Sequence, residues 1–132
     1  MKIILLPKFG SAVAAGFPSA ADDFLEAQLD LNQHLIKHPA ATYLARAQGH
    51  SMRGLGIFDG DTLIVDRSVE PKHEDIVIAA LDGELTCKVL DTKNHLLLPA
   101  NPRMKPIVIG EHSELVIEGV VIHSIRHHVC PG

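Results

Sequence analysis

The chain contains no tryptophan, and only 4% of its 132 residues are aromatic. Its core must therefore be built from Ile, Leu, Val and Ala rather than from rings. Cysteine is nearly absent. Cys87 and Cys130 show no Cys-x-x-Cys spacing, which excludes a disulfide framework and leads us to expect a reduced, cytoplasmic setting. Basic charge is scarce, with 12 Lys and Arg against 16 Asp and Glu and a net charge of −4. The basic residues are scattered singly, so direct sequence-specific DNA binding has little electrostatic support.

Long apolar runs are missing too. No window approaches the roughly 20 residues of a membrane span. Lys2 followed by Ile3-Ile4-Leu5-Leu6 imitates the start of a secretory signal. Pro7 and Lys8 break that run well short of the about 7–15 apolar residues a signal needs. No internal repeat or low-complexity tract is present.

What remains is ordinary globular composition, 46% hydrophobic and 21% charged, in a chain long enough for one domain that buries about two-thirds of its unfolded surface. Residues 1–18 read as a flexible, extended N-terminal arm punctuated by Pro7, Gly10, Gly16 and Pro18. Residues 19–132 read as the folded domain. Ser19 can cap a short helix through Glu26, and Asp30 with Gln33 forms a capping box for a second one. Leu31, Leu35 and Ile36 share a face of that helix, and Pro39 stops it.

From Thr42 onward the pattern is β. Expected strands are Thr42–Ala47, Thr62–Asp66, Asp75–Leu81, Glu84–Leu90, Leu96–Pro99, Ile107–Ile109 and Leu115–Ile125. Asp82-Gly83 is a type I′ hairpin signal. The other separators, Asp59-Gly60-Asp61, Pro71-Lys72, Thr92-Lys93-Asn94 and Asn101-Pro102, are turn chemistry. The fold class is mainly β, a small folded antiparallel sheet of barrel-like form preceded by short helices.

Two residues carry the chemistry to weigh. A serine hydroxyl becomes a nucleophile when a base takes its proton, and a neutral lysine can be that base. Ser51, in Gly49-His50-Ser51-Met52, and Lys88, in Leu85-Thr86-Cys87-Lys88-Val89-Leu90, would form such a pair if Lys88 were desolvated. Thr86, two residues away on the same strand face, could orient the amine. The bland alternative stands beside this. Alternation with Leu85, Cys87 and Val89 puts Lys88 on a solvent face, and a Gly-flanked serine is commonly a turn residue.

A family resemblance bears on the choice. Gly16-Phe17-Pro18-Ser19, Asp30-Leu31-Asn32-Gln33, His38-Pro39-Ala40-Ala41-Thr42-Tyr43, Gly49-His50-Ser51-Met52 and Asp59-Gly60-Asp61 resemble the LexA/UmuD family of self-cleaving serine peptidases. So do Leu63-Ile64-Val65-Asp66, Asp75-Ile76-Val77-Ile78-Ala79-Ala80 and Gly119-Val120-Val121-Ile122-His123. The similarity is to its UmuD-like members and covers nearly the whole chain from Gly16 onward, while the first 15 residues match poorly.

The resemblance implies Ser51 as nucleophile, Lys88 as general base, and backbone N–H groups of His50 and Ser51 as the oxyanion hole. It implies Thr86 as the residue orienting the lysine, and Ala15–Gly16 as the bond cut in the chain's own arm. It also implies a homodimer, stimulation by a RecA–single-stranded DNA filament, and work with a UmuC-like polymerase in error-prone translesion synthesis during the SOS response. LexA-type repressors carry a helix-turn-helix domain that this sequence does not show. The binding-class alternative is a catalytically idle dimeric module that docks the polymerase. A membrane signal peptidase of related Ser/Lys chemistry fails for want of an anchor.

Other features are read as structural. His34 and His38, at i and i+4, have no third ligand to complete a metal site, so no metal or cofactor is expected. His50, His123, His127 and His128 are assigned no role. Cys87 belongs in the core, and Asp59-Gly60-Asp61 is a turn that can hold the Ser51 loop. The long strand Leu115–Ile125 is the expected dimer edge.

Overall fold

The computed structural model describes residues 1–6, 30–110 and 114–129. The expected helix from Ser19 to Glu26, most of the arm and Cys130 lie outside those residues. Among the described residues one helix, α1 (Leu31–Leu35), precedes seven of eight strands. Asp30 caps it, its carboxylate accepting from Asn32 N at 3.0 Å and Gln33 N at 3.4 Å. The helix buries no residue, and Leu31 is 59% exposed. Its stability therefore rests on the cap rather than on the apolar face expected for it. Pro39 opens a short 3-10 turn, Pro39–Ala41.

The strands are β1 (Lys2–Leu5), β2 (Thr42–Gln48), β3 (Thr62–Asp66), β4 (Ile76–Leu81), β5 (Glu84–Asp91), β6 (Leu96–Leu98), β7 (Ile107–Val108) and β8 (Leu115–Ile125). Their order is β1-β2-β3-β8-β4-β5-β6-β7, all antiparallel, and β1 also pairs with β5. Six strands thus close into a barrel, with β6 and β7 extending one side as a flap. Closure removes the free edges that a flat sheet would leave. Asp82 and Gly83 both adopt positive φ, 49° and 88°, as the turn between β4 and β5 requires.

One expectation needs correcting. No strand was expected before Thr42, yet β1 is part of the barrel. Its residues pair Lys2 with Gln48, Ile3 with Ala47, Ile4 with Arg46 and Leu5 with Ala45. Ile3 is buried among the core residues, a contribution of about 1.5–3 kcal/mol for a side chain of that size. β8 bridges two neighbours: its first half, from Leu115 to Val120, pairs with β4 and its second half, from Val120 to Ile125, pairs with β3, so among the described residues each half keeps one unpaired side. Gly119 stands where the two pairings meet. A Cβ there would stand 2.6 Å from Val65 Cγ1, at a shift in register where the strands pass unusually close.

Two clusters form the interior. Ala45, Ala47, Met52, Leu63, Val65, Ile78 and Cys87 belong to the larger one, and Val77, Ala79, Leu90, Leu97 and Val120 make the second. Both are aliphatic, as the lack of aromatics demanded.

Candidate active site

β2 ends at Gln48 and runs into the turn that carries Ser51. Gly49 takes the positive φ of 106° that this reversal needs, and its N–H donates to Asp59 Oδ1 at 2.9 Å. Asp59-Gly60-Asp61 therefore does hold the loop. Gly60 N donates to Ala47 O at 2.8 Å, and Asp61 Oδ2 accepts from Phe58 N at 2.8 Å. Met52 and Ile57 then pin the far end of the turn in the larger cluster.

The strap across this loop was not legible as such in the sequence. Ala100 N donates to Ser51 O at 2.6 Å, and Gly54 N donates to Ala100 O at 2.7 Å. Asn101 Nδ2 donates to His50 O at 2.9 Å, while Asn101 Oδ1 accepts from Arg103 N at 3.0 Å. The Asn101-Pro102 signal was read only as a turn. Its side chain also fixes the carbonyl just before Ser51.

β5 delivers Lys88. Its Nζ donates to Ser51 Oγ at 2.9 Å. Ser51 is fully buried and Lys88 is 6% exposed. Strand alternation had put Lys88 in water, and the geometry corrects that reading. Leu85, Cys87 and Val89 face the larger cluster, but the opposite face of β5 is covered as well. Leu90 lies there in the second cluster, and Lys88 lies under Met1 and the Ser51 turn. A strand packed on both sides carries no solvent face.

Burial lowers the Lys88 pKa, because desolvation penalises the ammonium form. A hydrogen bond with the Met1 α-amino group and the neighbouring Cys87 oppose that shift without cancelling it. The Met1 amine is itself pushed down to about 6, first by burial and then by the Lys88 charge. Cys87 is fully buried, and desolvation raises its thiol to about 12. It is a core residue and stays protonated.

Thr86 lies two residues along β5, opposite Lys2 and Ala79. Among the described residues the Lys88 amine hydrogen-bonds to Ser51 and Met1, and Thr86 contributes no bond to it. The N–H groups of His50 and Ser51 donate to no carbonyl among the described residues. Among the described residues these two donors have no assigned acceptor. Ala15 and Gly16 lie outside the described residues.

The histidines have other uses. His38 Nδ1 meets Asp66 Oδ2 at 2.6 Å, and Ser68 completes that buried carboxylate through its N–H and its hydroxyl. His127 Nε2 contacts Thr62 Oγ1 at 2.8 Å. Arg126 stacks on the Phe58 ring, 3.8 Å from its centroid, and donates to Gly56 O at 2.9 Å. Among the described residues no helix is long and apolar enough to cross a membrane.

Chemically, a buried serine hydroxyl within hydrogen-bond reach of a desolvated amine is arranged for proton transfer from oxygen to nitrogen. Comparison with known proteins gives the family. Residues 7–122 match the family described as Peptidase S24-like. The chain is 44% identical over 124 residues to Protein ImpA of Escherichia coli, covering 93% of this chain and 81% of that protein. It is 47% identical to Protein SamA of Salmonella typhimurium, covering 91% and 86%. A LexA repressor from Azoarcus is 41% identical over 92% of this chain and 60% of its own.

Proposed function

From the premise that the chain belongs to the Peptidase S24-like family, we propose that it is a self-cleaving serine peptidase with Ser51 as nucleophile and Lys88 as general base. The observation that carries this reading is the 2.9 Å hydrogen bond between a buried Lys88 amine and the Ser51 hydroxyl. Ser51 Oγ attacks the Ala15 carbonyl carbon as Lys88 Nζ takes the hydroxyl proton. The His50 and Ser51 amides receive the oxyanion. Lys88 then returns the proton to the Gly16 nitrogen as the C–N bond breaks, and water hydrolyses the acyl-enzyme.

The biological setting follows the family resemblance of the quoted motifs. The protein acts as a UmuD-like homodimeric accessory subunit of error-prone translesion synthesis, triggered by a RecA–single-stranded DNA filament and working with a UmuC-like polymerase. In this reading the uncut arm is both substrate and switch, held at high local concentration by its tether.

Intact-mass measurement after prolonged alkaline incubation tests the chemistry. Fragments 1–15 and 16–132 are the expected products. Their absence with and without filament would leave the idle docking module instead. The strap residues give a second expectation. A Cβ on Gly54 would stand 2.6 Å from Ala100 O, so Gly54→Ala must shift the Ser51 turn. A displacement on the order of 1 Å costs about 10²-fold in rate. Fragment formation in Gly54→Ala should fall by that order while the protein still folds; cleavage at the parental rate would show that the strap does not position Ser51.

A further inference from the structure

In the described geometry nothing can reach Ser51, which is fully buried. A peptidase must admit an extended chain to its nucleophile, so some covering element has to yield. The two strands flanking the pair are β2, which leads into the Ser51 turn, and β5, which carries Lys88. They do not pair with each other. β1 lies between them, with Lys2 opposite Gln48 on one side and Thr86 on the other. Those partners stand three residues before Ser51 and two before Lys88. Met1 covers the turn, its Cα 3.6 Å from where a Gly49 Cβ would be.

β1 is held unequally. It makes four residue pairs with β2 and one with β5, the pattern of a peptide added to a strand edge. Ile3 is its one buried side chain, seated in the cluster that contains Ala45, Ala47, Met52 and Cys87. Lys2 and Leu5 are exposed. The family match begins at residue 7, so β1 lies ahead of it. A cleft of about 710 Å³ lies beside Lys88, lined by Met1, Lys2, Ile3, Thr86 and Ile107 among others.

We propose that the slot between β2 and β5 is the peptide-binding groove of this site, that β1 is its resident occupant, and that substrate enters as an extended strand in exchange for β1. The inference rests on the reading of Ser51 and Lys88 as nucleophile and base. The groove takes an aliphatic segment. Backbone groups of β2 give the register, and the Ile3 position accepts a branched aliphatic side chain while excluding a charged one. Until β1 withdraws, the scissile bond has no place to lie.

A reversible lock tests this. Ile4 and Arg46 are cross-strand partners on the outward side of β1 and β2, at the spacing a disulfide can bridge with small adjustment. The double variant Ile4→Cys/Arg46→Cys is incubated at alkaline pH in oxidised and reduced forms. Samples are acid-quenched and then reduced before intact-mass measurement, because the disulfide would hold the cut halves together. The reduced protein should self-cleave near the parental rate and the oxidised protein at least 100-fold more slowly. Equal rates would overturn the groove assignment and leave the peptidase reading standing. No cleavage by either form or by the parent would overturn that reading, and the groove with it.

Discussion

Ser51→Ala and Lys88→Ala each abolish self-cleavage, with losses on the order of 10⁴-fold or more. The size follows from mutual dependence. An alcohol without a base and a base without an alcohol are each nearly inert, and removing either member of such a unit costs about as much as removing both. The expected signature is the complete absence of fragment 16–132 by intact mass under conditions that convert the parent. Folding must be checked separately, since Lys88→Ala leaves a cavity and deprives a buried hydroxyl of its partner. Lys88→Met avoids the cavity, though not the loss of the hydroxyl's partner. It keeps the side-chain volume and removes an amine whose charged form burial disfavours, so its thermal midpoint at neutral pH should equal or exceed the parent's. A folded Lys88→Met that still cuts itself at the parental rate would end the case for Lys88 as base.

The second large effect is on pH dependence, and its sign is fixed by desolvation. Burial lowers the Lys88 pKa from its usual 10.5. Below the lowered value the amine is protonated and cannot accept the serine proton, so the rate climbs about tenfold per pH unit. Once pH passes that value the rate levels off, before 10.5 is reached. The charged and titratable groups against Lys88 leave the upper part of the profile unaltered. The Met1 amine, at about 6, is already neutral over most of the range, and the Cys87 thiol, at about 12, is still protonated. Initial rates of fragment formation from pH 5 to 11 measure the curve. A profile still rising tenfold per unit through 10.5 would describe a solvated lysine and contradict the buried one.

The strands from Thr42 onward were legible because alternation and turn residues are local signals. Thr62–Asp66 and Leu115–Ile125 have the expected bounds, and Asp82-Gly83 forms the expected hairpin. What escaped was non-local. Ile3-Ile4-Leu5-Leu6 has no alternation, and it becomes β1 only because β2 and β5 are there to receive it. The burial of Lys88 escaped for the same reason. Alternation reports which face a residue takes, but not what arrives from elsewhere to cover that face. Pairing two residues so far apart in sequence needed the family resemblance of the surrounding motifs. Asn101 looked like any turn asparagine, and its grip on His50 O depends on a loop distant in sequence.

The barrel has a seam, the single residue pair by which β1 meets β5. Cutting at Ala15–Gly16 would free the strand behind that seam and leave β2 and β5 with unpaired backbone groups facing each other across an empty slot. Such edges recruit other strands. The shortened product would then be an adhesive molecule, with the departed segment as its first competitor for the vacancy. Its lifetime as an open form would be set by how quickly another chain fills the gap.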